Sequence, residues 1–442
     1  MKVLLSDGSG LTSRQLATIL SRKRHEVHAL CPPGLSLTKL TRRVTKTHVV
    51  PPFGPQPYRW LDAALTVARE EKIGTIVCAQ EQVAVLSAEV GQIRALGIKI
   101  AVPSFPALAR VMDKISASQT LQEAGLRQPE SAVVASTGEL LSYIHLLPAY
   151  IKTPIGTASK GVIFAESAED LQHAVSQLED QRSFKEGGQA LIQRAVSGQL
   201  LMVQSVFSGG TLLSWHACLR VREGPSGGAA KKTSLPLPAV KEDLVRLGAL
   251  LEWDGALSLD AIIHEGSCYY IDVNPRIVEP MNALLSGVDL VDSLLKVSDD
   301  LSGANSTSMT REIVGASEGK KEVSTHQYIL AAVKAVERGR FALVVEALHA
   351  IVGTGEYADS SEELTPAEDD PLSVVVVIMI TILLLVDGLR LAQYLDRGTV
   401  SNYALSLGGW SMILDSYARV HASNQGQSAE QVTKDRTGEY KK

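Results

Sequence analysis

The sequence predicts a mixed α/β and α+β architecture. It starts with an open parallel α/β domain, continues with a domain of antiparallel sheets bearing a flexible loop of small residues, and ends in a mainly helical C-terminal extension. Three observations predict it. Strand-like and helix-like segments alternate over residues 1 to about 110, the order that builds a parallel sheet with covering helices. Between Gln189 and Val221 the chain reads as consecutive antiparallel strands, and a further hairpin follows near residues 256–274. After a stretch rich in Ser, Gly and Thr at 301–325, the run from His326 to Val352 is strongly helical in pattern.

The elements follow in order. "KVLLSD" is a first buried strand, and "LTSRQLATILSRK" carries Leu11, Leu16, Ile19 and Leu20 at helical spacing. "HEVHALCP" is a second strand, "YRWLDAALTVAREEK" an amphipathic helix and "IGTIVCAQ" a further strand, and "QIRALGIKIAVPS" closes the unit. From Phe105 the composition changes. "PALARVMDKISASQTLQEAGL" reads as one helix stopped by Gly125. "AYIKTPIGTASKGVIFAES" runs from a strand through small residues into another strand, and "EDLQHAVSQLED" is a short helix. The expected division is a domain at 1–110, a second at 111–300, a linker at 301–325, a helical and apolar region at 326–422 and a disordered tail at 423–442.

Composition bounds the function. The chain has 442 residues, 45% apolar and 21% charged, enough for two to four domains with real cores. A net charge of −5 gives no basic patch for nucleic acid. Cys31, Cys78, Cys218 and Cys268 are scattered without metal-ligand spacing, as expected of reduced thiols in a cytoplasmic protein. "MKVLLSDGSG" is too short in its apolar run for a signal peptide. Pro371 to Val386 forms sixteen residues without a charge, short of the roughly 20 that span a bilayer. Two readings stand for it: a buried core element, or membrane association.

Chemistry is suggested first by "SCYYIDVNPR". Alternation puts Asp272 and Asn274 on one face of a strand that Pro275 ends. The preceding run "ALSLDAIIHEG" forms a hairpin with it. A turn of three or five residues would set Asp260 opposite Asp272. Two facing carboxylates repel, whereas a hard divalent cation reverses that interaction, and oxygen ligands suit Mg²⁺. An exposed polar edge is the alternative. The "DGSG" turn after the first strand lacks the full dinucleotide-binding spacing.

In "YIKTPIGTASKGV", Lys152 precedes a loop of Gly156, Thr157, Ala158, Ser159 and Gly161. Small residues let backbone N–H groups approach phosphate oxygens closely, and a lysine supplies a point charge. The order is not that of a P-loop, and an ordinary hairpin loop reads the same way. Lys114 reads as lying within a helix. Gln193, Arg194 and Ala195 lead from a strand into a turn whose main chain could meet an adenine edge. Arg220 and Arg222 share one strand face.

Taken in order, Lys114, Lys152 with its small-residue loop, Gln193 to Ala195, Arg220, Asp260 and Asp272-x-Asn274-Pro-Arg276 resemble the ATP-grasp superfamily over residues 1 to about 300. The resemblance implies an N-terminal α/β domain before an ATP-grasp domain with a lid. It implies that Lys114 and Lys152 hold ATP phosphates, that Gly156, Ser159 and Gly161 belong to the loop closing over them, and that main chain at Gln193, Arg194 and Ala195 faces adenine. It assigns Asp260, Asp272 and Asn274 to magnesium, or manganese, and Arg220 and Arg276 to phosphate or acyl phosphate. The chain departs from the family in having Asp272 where Glu is common and no acidic residue near Gln199 for the ribose.

Such enzymes activate a carboxylate as an acyl phosphate that an amine or thiol then displaces, so no separate nucleophile is needed. The expected function is an ATP-dependent carboxylate–amine ligase acting on small molecules. Two alternatives are an ATP-binding protein impaired in turnover and a membrane-tethered interaction protein.

Overall fold

The computed structural model describes residues 1–302 apart from 35, 157–160 and 225–228, and beyond them chiefly 323–325, 342–352, 354–358, 370–373 and 403–424. The first strands are β1 (Lys2–Leu5), β2 (Glu26–Cys31), β3 (Lys46–Val49), β4 (Thr75–Val77) and β5 (Lys99–Ile100). They form a parallel sheet in the order β3-β2-β1-β4-β5. Val3, Leu4 and Leu5 are fully buried, as expected of a central strand with helices on both faces. β3 carries no apolar run to mark it, because as an edge strand it stays partly exposed. Helix α1 (Leu11–Arg22) follows β1, α2 (Pro57–Glu70) precedes β4, and α3 (Val83–Ala88) and α4 (Val90–Ala95) join β4 to β5. The strand order reverses between β1 and β4.

The single helix expected after Phe105 is two, α5 (Phe105–Met112) and α6 (Lys114–Glu123). Asp113 breaks it. Its backbone is extended, and its carboxylate accepts from the N–H groups of Ile115 and Ser116 at 3.0 and 2.9 Å, an N-cap that starts a new helix.

A small antiparallel sheet comprises β6 (Ser131–Val134), β7 (Ala149–Lys152), β8 (Val162–Ala165) and β9 (Ala190–Arg194), ordered β6-β9-β7-β8. Helices α7 (Thr137–Ser142) and α8 (Ala168–Asp180) cover one face through Leu140, Leu171, Ala174 and Leu178. The other face is left toward a larger sheet. That sheet contains β10 (Gln199–Ser208), β11 (Thr211–Glu223), β12 (Ala229–Ser234), β13 (Gly255–His264) and β14 (Ser267–Asn274), in the order β14-β13-β10-β11-β12. Helices α9 (Pro238–Leu251), α10 (Met281–Leu285) and α11 (Leu290–Leu301) complete this part.

The C-terminal region differs from an independent module behind a linker. Within the expected linker, Val323–Thr325 forms β15 and pairs with β12, and β16 (Ser361–Glu362) pairs with β15. Leu405, Trp410 and Ile413 join the same core as Trp60, Phe105 and Leu257. Trp410 and Tyr417, on the helix Leu407–Asn424, lie 5.7 and 4.3 Å from the Phe105 ring. The physical reason is burial: this helix has a large apolar face that the N-terminal domain covers. The helix also runs two residues into the expected tail.

Of the apolar run, only Pro371–Ser373 and Val375 are described, so the membrane reading falls mostly outside the described residues. Its start is tied to the protein. Asp370 and Arg14 meet at 3.6 Å with both side chains fully buried, and Arg14 also donates to Ser373 Oγ at 2.8 Å. Among the described residues no helix is long and apolar enough to cross a membrane.

Candidate nucleotide and metal site

The β13–β14 hairpin organises the site. Glu265 and Gly266 form a two-residue turn with φ of +46° and +75°, and His264 pairs with Ser267. The expected turn of three or five residues is therefore corrected. Unbroken pairing from a two-residue turn would set Asp260 against Ile271. Instead the register shifts, with Ala261 opposite Tyr270 and Asp260 opposite Asp272. Ile271 is the additional residue of a β-bulge. Since a one-residue slip moves side chains to the other face, this bulge is what brings the two carboxylates together.

The lysine uses the same bulge. Lys152, at the end of β7 and only 6% exposed, donates to Ile271 O at 2.7 Å and to Gln193 Oε1 at 2.8 Å. Burial pushes its pKa down to about 8, with Asp272 opposing the shift and Lys114 adding to it. Burial, reinforced by repulsion from Asp272, pushes Asp260 up to about 7, against the pull of Arg276 and Lys152. Asn274 Nδ2 donates to Asp260 Oδ2 at 3.4 Å. Three oxygen-bearing side chains thus stand together on neighbouring strands.

Lys114 opens α6 rather than lying within a helix, because Asp113 caps there. Its N–H donates to Pro154 O at 2.9 Å and its Nζ to Gly156 O at 2.5 Å. At Gly161, φ is +76° and a Cβ would fall 2.1 Å from Thr153 Oγ1, so the loop base requires glycine. Ser159 lies outside the described residues. Lys114, Gly156, Asp272, Asn274 and Arg276 line one cleft, together with Glu81 and Met112.

Other expected residues sit differently. The N–H groups of Arg194 and Ala195 donate to Glu130 O and Pro148 O, both at 2.8 Å. These two N–H groups are therefore engaged within the protein, and Gln193 contributes its side chain to Lys152. Arg220 lies on β11, with β10 between it and β13, about 10 Å at ordinary strand spacing, and meets Glu223 at 2.9 Å. Arg276 does belong to the cleft, and its charge acts on both Asp260 and Glu81.

The sequence reading missed three features. Glu81, after β4, is 7% exposed and accepts the Leu405 N–H at 2.5 Å; no motif marks it. Tyr150 and Phe164 share the Lys152 face of the small sheet, by the pairing of Tyr150 with Phe164 and of Lys152 with Val162. They remain 40% and 48% exposed with rings 5.0 Å apart. Their signal was available, since Tyr150 precedes Lys152 by two residues in a strand. Finally, Gln204 and His216 extend the Asp260 face across β10 and β11. His216 Nε2 lies 2.9 Å from Ser234 Oγ, and burial with nearby Lys232 drives its pKa down to about 3.

No protein-family model matches the chain. A curated relative is the phosphoribosylamine–glycine ligase of Chlorobaculum tepidum, 24% identical over 322 residues, which are 67% of this chain and 74% of that one. Among solved structures, the biotin carboxylase β,γ-ATP complex from Campylobacter jejuni is similar with a TM-score of 0.56 and 15% identity. It covers 67% of this chain and 70% of that one. The biotin carboxylase domain of Hydrogenobacter thermophilus 2-oxoglutarate carboxylase, solved with MgADP, ADP and bicarbonate, is similar with a TM-score of 0.54 and 15% identity. It covers 70% of this chain and 71% of that one. These are ATP-grasp proteins. The chain has the ATP-grasp fold. Within it, the small sheet meets the β13–β14 hairpin where Lys152 Nζ donates to Ile271 O, and Lys114, at the start of α6, lines a cleft with Asp272 and Arg276.

Proposed function

We propose that the chain is an ATP- and magnesium-dependent ligase that activates a carboxylate and joins it to an amine. The observation that carries this reading is a cleft lined by Lys114, Arg276 and Asp272, with Asp260 facing Asp272 and the buried Lys152 close enough to feel the charges of both carboxylates and of Lys114. Three cations suit a triphosphate, and two carboxylates beside them suit a divalent ion. Among the described residues no group of three or more His, Cys, Asp or Glu side chains could hold a metal alone. This fits magnesium, which keeps few protein ligands and shares phosphate oxygens. Asp260, Asp272 and Asn274 would hold it, and the ion would supply charge neutralisation on the phosphates.

The chemistry then needs only positioning and electrostatics. A substrate carboxylate oxygen attacks the γ-phosphorus of ATP, ADP leaves, and an acyl phosphate forms. An amine attacks the acyl carbon, inorganic phosphate leaves, and the amine gives up a proton. Lys152 and Lys114 hold the phosphates, Arg276 faces the transferring phosphoryl, and Tyr150 with Phe164 offers an aromatic platform for adenine. The activities of the relatives support a ligase; they do not name this chain's carboxylate or amine.

The test is ADP formation by the purified full chain with magnesium and pools of carboxylic acids and amines. ADP release that needs both pools, with product mass equal to the two substrates less water, supports the reading. ATP binding without turnover in any pool favours an impaired nucleotide-binding protein.

A further inference from the structure

In an open parallel sheet, ligands bind beyond the carboxyl ends of the strands where the order reverses, here between β1 and β4. In this chain a strap from the C-terminal region, residues 403–406, reaches the loops that follow β1, β3 and β4. Tyr403 Cε1 lies 3.9 Å from the Cβ position of Gly10, and a Cβ on Gly54 would fall 2.1 Å from Ala404 O. Ser406 Oγ donates to Gly54 O at 2.9 Å, and Leu405 N–H donates to Glu81 Oε2 at 2.5 Å. Tyr403 and Leu405 are both buried. The strap is thus held by close fit against Gly54 as well as by hydrogen bonds.

The strap acts on the nucleotide cleft through Glu81, which lines that cleft with Lys114, Asp272 and Arg276. Arg276 attracts the Glu81 carboxyl, yet among the described residues no hydrogen bond or ion pair engages the Arg276 guanidinium. Burial raises the pKa of Glu81, against the pull of the Leu405 N–H and Arg276, so the seated carboxyl is not a counter-ion for Arg276. With the strap withdrawn, Glu81 loses its donor and the cover of Leu405. Hydrated, it regains its charge and becomes an internal anion for Arg276, in the place that a phosphoryl group needs.

We propose that residues 403–406 are a switch on the nucleotide site: seated, they hold Glu81 away from Arg276 and leave that arginine to the transferring phosphoryl; withdrawn, they let Glu81 take its place. This rests on the ligase reading above and adds its regulation. The experiment is calorimetric titration of the full chain, in magnesium, with a non-hydrolysable ATP analogue and with ADP. Gly54→Ala, which displaces Ala404, should weaken the analogue about tenfold and ADP by no more than about twofold, because only the analogue carries the terminal phosphoryl that Arg276 faces. Adding Glu81→Gln to Gly54→Ala should restore the analogue to within about twofold of the wild-type affinity. Ser406→Ala, a milder release of the strap, should shift the analogue in the same direction. An equal loss of both nucleotides that Glu81→Gln does not repair, or unchanged affinities in both strap variants, overturns the proposal. Wild-type binding, measured first, separates the two inferences: if neither nucleotide binds, the ligase reading itself falls.

Discussion

Asp260 stands directly opposite Asp272 across β13 and β14, and the register shift at Ile271 puts it there. In the absence of a metal this contact is unfavourable, since burial and Asp272 together hold the Asp260 carboxyl near a pKa of about 7. The folded pKa lies above the unfolded value, so the native state binds more protons between about pH 4 and 7, and this contribution to stability is lost as pH rises through about 7. Asp260→Asn should therefore stabilise the metal-free protein above pH 7 by about 1–3 kcal/mol while abolishing turnover. A lower melting temperature for this variant without magnesium would contradict the facing-pair account.

Deleting Ile271 tests the bulge without removing a carboxylate. The hairpin would regain unbroken pairing with Asp260 still opposite Asp272, but the Ile271 carbonyl that accepts from Lys152 Nζ would be lost. Magnesium-dependent ADP formation should disappear while circular dichroism keeps its native shape. Retained turnover would mean that the bulge does not set the site.

Lys152→Ala should weaken ATP binding by about 1.5–3 kcal/mol, roughly 10- to 150-fold, through loss of one charge-assisted phosphate contact. The wild-type lysine, with its pKa pushed down to about 8, should also give ATP affinity that falls as pH rises through about 8. Its effect on stability has the other sign. The unfolded chain keeps that proton up to about pH 10.4, so between about 8 and 10 stability rises with pH. Calorimetry at pH 7 and 9 with both proteins checks the binding part: the pH effect should vanish in the alanine variant.

Tyr150 and Phe164 lie together on the cleft side of the small sheet. If they carry the adenine, Tyr150→Ala should weaken ATP and ADP equally, by about 1–3 kcal/mol, and leave binding of inorganic triphosphate unchanged. Tyr150→Phe should restore affinity. Equal losses for ATP and triphosphate would place the pair outside the base site.

Truncation before Tyr403 should not leave a stable soluble enzyme. It would expose the apolar surface that Leu405, Trp410 and Ile413 now cover, at about 25 cal/mol per Å², and free Glu81 from Leu405. Aggregation or a large fall in melting temperature is expected. Arg14→Ala, which removes the buried cation paired with the Asp370 carboxylate while leaving its donors Thr41, Arg42 and Leu372, should cost about 3 kcal/mol. A truncated chain that melts like the full one would restore the view of the C-terminal region as a separate module.

The sequence by itself determined the parallel sheet, the paired small-residue loop and lysine, and the Asp-x-Asn-Pro-Arg end of β14. Each rests on short-range information: apolar runs, period-two alternation and backbone-permissive residues speak within a few positions of one another. Lys114 was legible as a residue but misplaced in its helix, although Asp113 carried the capping signal. Tertiary structure alone decided the rest. The facing of Asp260 and Asp272 depends on a bulge whose two-versus-one pairing no local pattern encodes. The use of the Arg194 and Ala195 N–H groups depends on which strands lie beside β9, and the distance of Arg220 from β13 depends on the insertion of β10 between β11 and β13. Glu81 and Leu405 stand 324 positions apart in the chain, and their contact follows from burial of the C-terminal helix against Phe105, a gain realised only once the whole domain has closed its core.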